Sequence, residues 1–171
     1  MSFANAFYFD EVEVGQEWLS PERTVSEEDI NIFAELTGDR APMHTDEEFA
    51  KTTPYQRRIA HGLLGLSMTS GLTFEAPPVR VQAFVGLREW YFRAPIFIGD
   101  TIRVRTRVLE KELRGRGRRG LVTWGITMLN QNGRIVQEGI TMTILERAAS
   151  ARESILPLLK TPESQPLSEA G

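Results

Sequence analysis

The spacing of apolar positions changes character along the chain, and the changes mark out its elements. Between Ser26 and Gly38, Ile30, Phe33, Ala34 and Thr37 fall at i, i+3, i+4 and i+7, the signature of an amphipathic helix. Ser26 suits the N-cap, and Asp29 three residues on gives a variant of the capping box. Val25 and Ile30 stand where a hydrophobic staple would pack. Gly38 can take the positive φ that ends a helix, so Asp39 should emerge on a sharply turned backbone. Residues 39–61 have no period, are interrupted by Pro42 and Pro54, and predict at most a helical turn at 47–51. The stretch from Gly62 to Phe74 is apolar nearly all round, with small residues at Gly62, Gly65, Ser67, Ser70 and Gly71. It predicts a helix buried on most sides, with room for another backbone to approach.

From Val79 the period becomes two. Val79, Val81, Ala83, Val85 and Leu87 alternate, and Trp90 and Phe92 continue with a phase shift. Ile102, Val104, Thr106 and Val108 alternate against Arg103, Arg105 and Arg107. Val122, Trp124, Ile126 and Met128 form a third run. Val136, Glu138, Ile140, Met142 and Ile144 lie along a fourth, and Asn130 to Gly133 reads as the hairpin turn between the two. Residues 7–24 read as an extended segment anchored by Val12, Val14 and Trp18. Four long strands with tight connections predict an antiparallel sheet, and the apolar helix is the element able to cover its inner face. The expected fold class is α+β: one domain over 1–147, a sheet curled around one buried helix. Residues 148–171, rich in Ala, Ser, Pro and Glu, read as a tail in which Ile155 to Leu159 dock on the body.

Composition narrows the function classes. The 171 residues suit one domain, and the 41% hydrophobic and 25% charged fractions are those of an ordinary globular chain. A formal net charge of −3 gives no footing for nucleic acid or a bilayer surface. No apolar run approaches the roughly 18 residues of a membrane span, and the first ten residues lack signal-peptide character, so a cytoplasmic location is the expectation. The absence of cysteine removes thiolate nucleophiles and Cys-type zinc sites together. Only two histidines, His44 and His61, are available for imidazole chemistry.

Both lie in the aperiodic stretch. Asp39 and His44 share one short turn, with Pro42 between them limiting its conformations. A carboxylate and an imidazole together can hold a water and move its protons near neutral pH. Gly62, at the expected start of the buried helix, has an N–H with no partner inside the helix and the positive end of the dipole behind it. Such a donor can stabilise an enolate oxygen, and the missing side chain lets a thioester carbonyl come close. Base, acid and oxyanion donor are the parts that proton exchange beside a carbonyl requires.

Thr37-Gly-Asp39-Arg-Ala-Pro42-Met-His44, followed by Ala60-His61-Gly62 and the small-residue helix through Ser70, resembles the MaoC-like (R)-specific enoyl-CoA hydratases, whose signature is Gly-Asp-x-Asn-Pro-x-His. The segment Phe92-Arg-Ala-Pro95-Ile-Phe-Ile-Gly99-Asp100-Thr101 resembles one common in that family, and the likeness covers about residues 8–147. It implies the hot-dog fold, a homodimer or larger homo-oligomer with acyl-CoA held at subunit interfaces, and a hydro-lyase reaction. It implies no metal, flavin or nicotinamide; coenzyme A enters as part of the substrate. Asp39 and His44 match the catalytic dyad, Gly62 the residue whose N–H binds the thioester oxygen, and Ser70 a serine near the dyad. The sequence departs from the signature at Ala41, where the family has asparagine.

Other readings compete. Asp39 after Gly38 suits a plain turn. His61 reads as packing, or as a hydrogen bond fixing the helix start. Asp39, His44, Asp46, Glu48 and His61 match no familiar zinc spacing. Arg116 and Arg118, in the run Arg114 to Gly120, are candidates to grip coenzyme A phosphates across a subunit interface, although a solvated hairpin tip is the preferred reading. A hot-dog thioesterase and a non-catalytic acyl-CoA-binding or assembly subunit remain as alternative functions. The sequence does not separate coenzyme A from a carrier-protein arm.

Overall fold

The computed structural model describes residues 6–148, so the expected docking of Ile155 to Leu159 lies outside the described residues. Helix α1 spans Glu27–Thr37. Its N-cap Ser26 and Asp29 exchange both capping-box hydrogen bonds, and Gly38 closes it at φ 78°. Val25 and Ile30, at the positions a hydrophobic staple would use, are both buried in the core. Two short helices follow, α2 over Pro42–Thr45 and α3 over Glu47–Lys51. Only α3 was foreshadowed by the sequence. Proline at the first position of α2 supplies the φ a helix start needs and lacks the N–H that would be orphaned there.

Helix α4 spans Gly62–Glu75 and lies against a six-stranded antiparallel sheet. The strands are β1 (Glu17–Leu19), β2 (Arg23–Thr24), β3 (Val81–Phe92), β4 (Thr101–Arg114), β5 (Arg119–Asn130) and β6 (Ile135–Glu146). Their order is β1-β4-β5-β6-β3, with β2 also pairing β4. The extended segment before α1 is therefore two short strands on one edge, both antiparallel to β4. Leu64, Met68 and Leu72 of α4 share one core with Ile102, Val104 and Val108 of β4 and with Val122, Trp124, Ile126 and Met128 of β5. This is the hot-dog arrangement, an α+β fold in which the sheet wraps one long helix.

Three expectations change. Helix α4 is buried on one side only: Leu63, Ser67, Ser70 and Phe74 form an exposed stripe in the single chain. The sheet of one chain covers one face of the helix, and β3 beside it is an uncovered edge strand. Most of β3 is accordingly exposed, including Phe84 and Val85. The third change is in β6: of Val136, Glu138, Ile140, Met142 and Ile144 only Val136 is buried, and the inner face otherwise carries Gln137, Thr141, Thr143 and Leu145. A register shift beside Met128 sets this parity. Indole N–H groups that point into the core need acceptors, and the polar side chains of β6 provide them: Trp124 Nε1 donates to Thr143 Oγ1 at 2.8 Å.

Candidate active site

Asp39 leaves α1 on the left-handed turn at Gly38, whose N–H donates to Ala34 O at 2.9 Å. The Asp39 N–H donates to Thr37 Oγ1, and its own Oδ1 accepts from the Ala41 N–H, both at 3.3 Å. The exposed carboxylate is thus folded back over its own turn. His44 sits in α2, two residues after Pro42, and is buried. Its Nδ1 donates to Ile59 O at 2.8 Å, so the neutral ring presents the lone pair of Nε2.

The frame behind His44 is polar. Arg58, itself buried, donates from Nε to His44 O at 2.6 Å, from Nη1 to Glu27 at 2.5 Å and from Nη2 to Asn31 Oδ1 at 2.8 Å. One guanidinium therefore ties α1 to α2. The next residues pair with the strand-to-strand segment noted in the sequence: Ala60 N–H donates to Ile96 O at 2.8 Å and Ile59 bridges Phe97. Asp100 folds that segment by accepting from the Phe97 N–H and the Gln131 amide, each at 2.8 Å.

His61 caps α4 and closes the cluster. Its Nε2 donates to Asp39 O at 2.8 Å, and its ring stacks on His44 with centroids 3.9 Å apart and planes 31° apart. Phe33 packs on it at 5.0 Å. Its buried Nδ1 has no hydrogen-bond partner among the described residues. One side-chain atom each of Asp39, His44 and His61 can be chosen so that all three lie within 4.8 Å of one another. Burial holds the His44 imidazole below the ordinary histidine range; the Ile59 carbonyl opposes this, His61 and Arg58 reinforce it, and Asp39 opposes it. The neutral, proton-accepting form is favoured.

The same three residues are a formal metal-ligand set, but the two rings overlap at 3.9 Å with their planes only 31° apart. Lone pairs lie in the ring planes, so two such rings do not converge well on one ion. Proton exchange through a held water suits the geometry better.

Gly62, the first residue of α4, follows His61 directly. A side chain there would meet the Phe92 ring at 2.9 Å, so the close packing of this ring on the helix start needs a glycine. The cluster therefore gathers Asp39, His44, His61 and the Gly62 backbone. Ser70 is not gathered with them in the single chain. It lies eight residues further along α4, about 12 Å at the helical rise. There it lines a cavity of about 420 Å³ together with Ser67, Phe74, Phe84, Trp124 and Ile126. Arg116 and Arg118 occupy the tip of the β4–β5 hairpin, the far end of a fourteen-residue strand from Ile96 and Phe97. At the usual strand rise that is about 40 Å within one chain. Sequence reasoning did not single out Arg58, whose partners come from α1 and α2 and leave no local trace. It also did not single out Gln137, and it read Trp90 only as part of a strand; their pairing depends on the parity of β6 and on an irregularity in β3.

Fold and cluster together place a carboxylate and two imidazoles, those of Asp39, His44 and His61, side by side at the start of the long helix of a hot-dog scaffold. The chain belongs to the MaoC-like domain family, whose model matches residues 10–128. It is 40% identical over 104 residues to the 3-hydroxybutyryl-CoA dehydratase of Methylorubrum extorquens, covering 60% of this chain and 64% of the relative. It is 38% identical over 95 residues to the (R)-specific enoyl-CoA hydratase of Rhodospirillum rubrum, covering 56% and 65%. The chain thus spans just under two thirds of the length of these curated relatives. Among solved structures it is similar to the monoamine oxidase regulatory protein from Archaeoglobus, at 35% identity and TM-score 0.77, with 86% of this chain and 99% of that one covered.

Proposed function

We propose that the protein is a hydro-lyase that adds water across the double bond of an enoyl-CoA, giving an (R)-3-hydroxyacyl-CoA, and removes it in the reverse direction. The observation that carries this reading is the pairing of the Asp39 carboxylate with a buried, neutral His44 whose Nδ1 is already committed to Ile59 O. A water hydrogen-bonded to two groups at a tetrahedral angle bridges a gap of about 4.6 Å, and the side chains of the cluster are spaced on that scale. The names of the relatives agree in reaction, and the name of the Rhodospirillum rubrum relative gives the (R) configuration.

In the hydration direction Asp39 and His44 orient the water and take one of its protons as its oxygen bonds to C3. The C2–C3 π pair moves toward C2 and the thioester, and negative charge gathers on the thioester oxygen. The Gly62 N–H, backed by the start of α4, receives that oxygen. The dyad then returns a proton to C2, so H and OH are both accounted for. Ser70, in the apolar cavity along α4, is assigned to the acyl part of the substrate. No residue of this scheme calls for a metal or a redox cofactor. Among the described residues no helix is long and apolar enough to cross a membrane, and a coenzyme A substrate is consistent with a cytoplasmic location. The uncovered edge of β3 and the exposed stripe of α4 support a homodimer or larger homo-oligomer.

The test is loss of enoyl absorbance with a panel of enoyl-CoAs. Asp39→Asn and His44→Ala should each lower hydration by at least about 10², with the far-UV spectrum unchanged. Near-normal turnover in both variants would sink the mechanism. Release of free thiol in place of hydration would favour a thioesterase, and tight acyl-CoA binding without turnover a non-catalytic subunit.

A further inference from the structure

One buried side chain outside the cluster is held in a way that packing alone does not require. Gln137, on the inner face of β6, is 2% exposed. Its Nε2 donates to Gly62 O at 3.0 Å, and its Oε1 accepts from Trp90 Nε1 at 3.2 Å. An indole N–H can only donate, so it selects the oxygen end of the amide and turns the nitrogen toward α4. Three local concessions make this bridge. Gly65 has no side chain, and a Cβ there would lie 2.1 Å from Gln137 Nε2. Gly139 is likewise bare, and a Cβ there would lie 2.9 Å from the Trp90 backbone. Strand β3 is irregular between Arg88 and Tyr91, with Glu89 at φ 53°, next to the indole that reaches Gln137. An apolar residue at position 137 would fill the same space without needing two partners.

We infer that Gln137 is a positioning residue for the oxyanion donor: it ties the first turn of α4 to the sheet and so holds the Gly62 N–H in its direction. The inference rests on the proposed reading of Gly62. Gln137 itself touches no substrate. Its amide grips the carbonyl of the residue whose N–H faces the substrate, on the one helical turn that lacks internal partners for its N–H groups. A misplacement on the order of 1 Å at such a donor is enough to cost catalysis.

The experiment uses hexadienoyl-CoA, whose absorption moves to longer wavelength when its carbonyl oxygen receives strong hydrogen bonds. An Asp39→Asn background slows turnover so that the bound spectrum can be read. The red shift on binding should be present in that background and fall by more than half when Gln137→Met is added, with affinity changed by no more than about threefold. With Asp39 restored, Gln137→Met should lower kcat on a simple enoyl-CoA by about tenfold or more and leave KM within about threefold. Trp90→Phe, which removes the N–H that orients the amide, should give a smaller loss of the same kind and stands in if Gln137→Met does not fold. A full red shift and full kcat in the folded variants would overturn the inference while leaving the hydratase reading intact. No red shift in the Asp39→Asn background would overturn the reading of Gly62, and the inference with it.

Discussion

Arg58→Met is the sharpest single test of how the fold holds its candidate base. Methionine fills much of the volume of the arginine stem but offers no donor. The change removes three hydrogen bonds, to His44 O, Glu27 and Asn31 Oδ1. Glu27 is 60% exposed and regains water, so that ion pair is worth no more than about 1 kcal/mol. The bonds to the His44 carbonyl and to Asn31 are charge-assisted, each worth about 1.5–3 kcal/mol net. Releasing the guanidinium from burial offsets part of their loss, and the balance is about 3 kcal/mol. For a chain of this size that corresponds to a Tm lower by roughly 6–12 °C, measured by circular dichroism at fixed protein concentration. Hydration should suffer as well, because α2 loses the anchor on the His44 carbonyl: kcat should fall by about tenfold. Arg58→Lys should recover part of both, since one ammonium cannot satisfy three separate acceptors. A methionine variant with Tm within about 2 °C of the parent and unaltered kcat would refute the claim that Arg58 frames the site.

The depressed His44 pKa predicts that the acid limb of kcat/KM falls at a pH below the ordinary histidine value of about 6.5, and a midpoint above that value would contradict it. The sign for stability follows from the same shift. The unfolded chain takes up the His44 proton first, so this residue's contribution to stability declines as pH falls from about 6.5 toward the lower folded value, and His44→Gln should remove that slope from denaturant midpoints. The double variant Arg116→Ala, Arg118→Ala should leave KM for CoA esters unchanged within about twofold, because the hairpin tip stands at the far end of β4 from the cluster. A KM raised about tenfold would return these arginines to the site, from a partner copy.

Much of the framework was legible because it is local. The limits of α1 depend on Ser26, Asp29 and Gly38, all within hydrogen-bond reach of the helix they bound. The inward alternation of β4 and β5 survives intact from sequence to structure. The start of α4 at Gly62 was visible from the switch between aperiodic and apolar sequence. Asp39 and His44 stood out because only four residues, one of them proline, separate a carboxylate from an imidazole on a turn.

Other features were set by contacts between distant parts of the chain. The alternation of Glu138, Ile140, Met142 and Ile144 pointed to the wrong face of β6, because a register shift beside Met128 inverts the parity and the core indoles need polar acceptors there. The aperiodic stretch hid α2, since four residues are too few for a period and its stability comes from Arg58 and Ile59. Helix α4 read as buried on most sides because its composition is apolar nearly all round, whereas one sheet can cover only one face. The stacking of His44 on His61 joins two residues seventeen positions apart and left no trace in spacing. The sequence by itself determined where α1 and α4 begin, where the long strands run, and which two side chains form the candidate acid–base pair, because caps, turns and periodicity act over a few residues. The tertiary structure decided which face of β6 points inward, what frames His44, and what holds Gly62, because those outcomes depend on register and packing between elements that meet only in the folded chain.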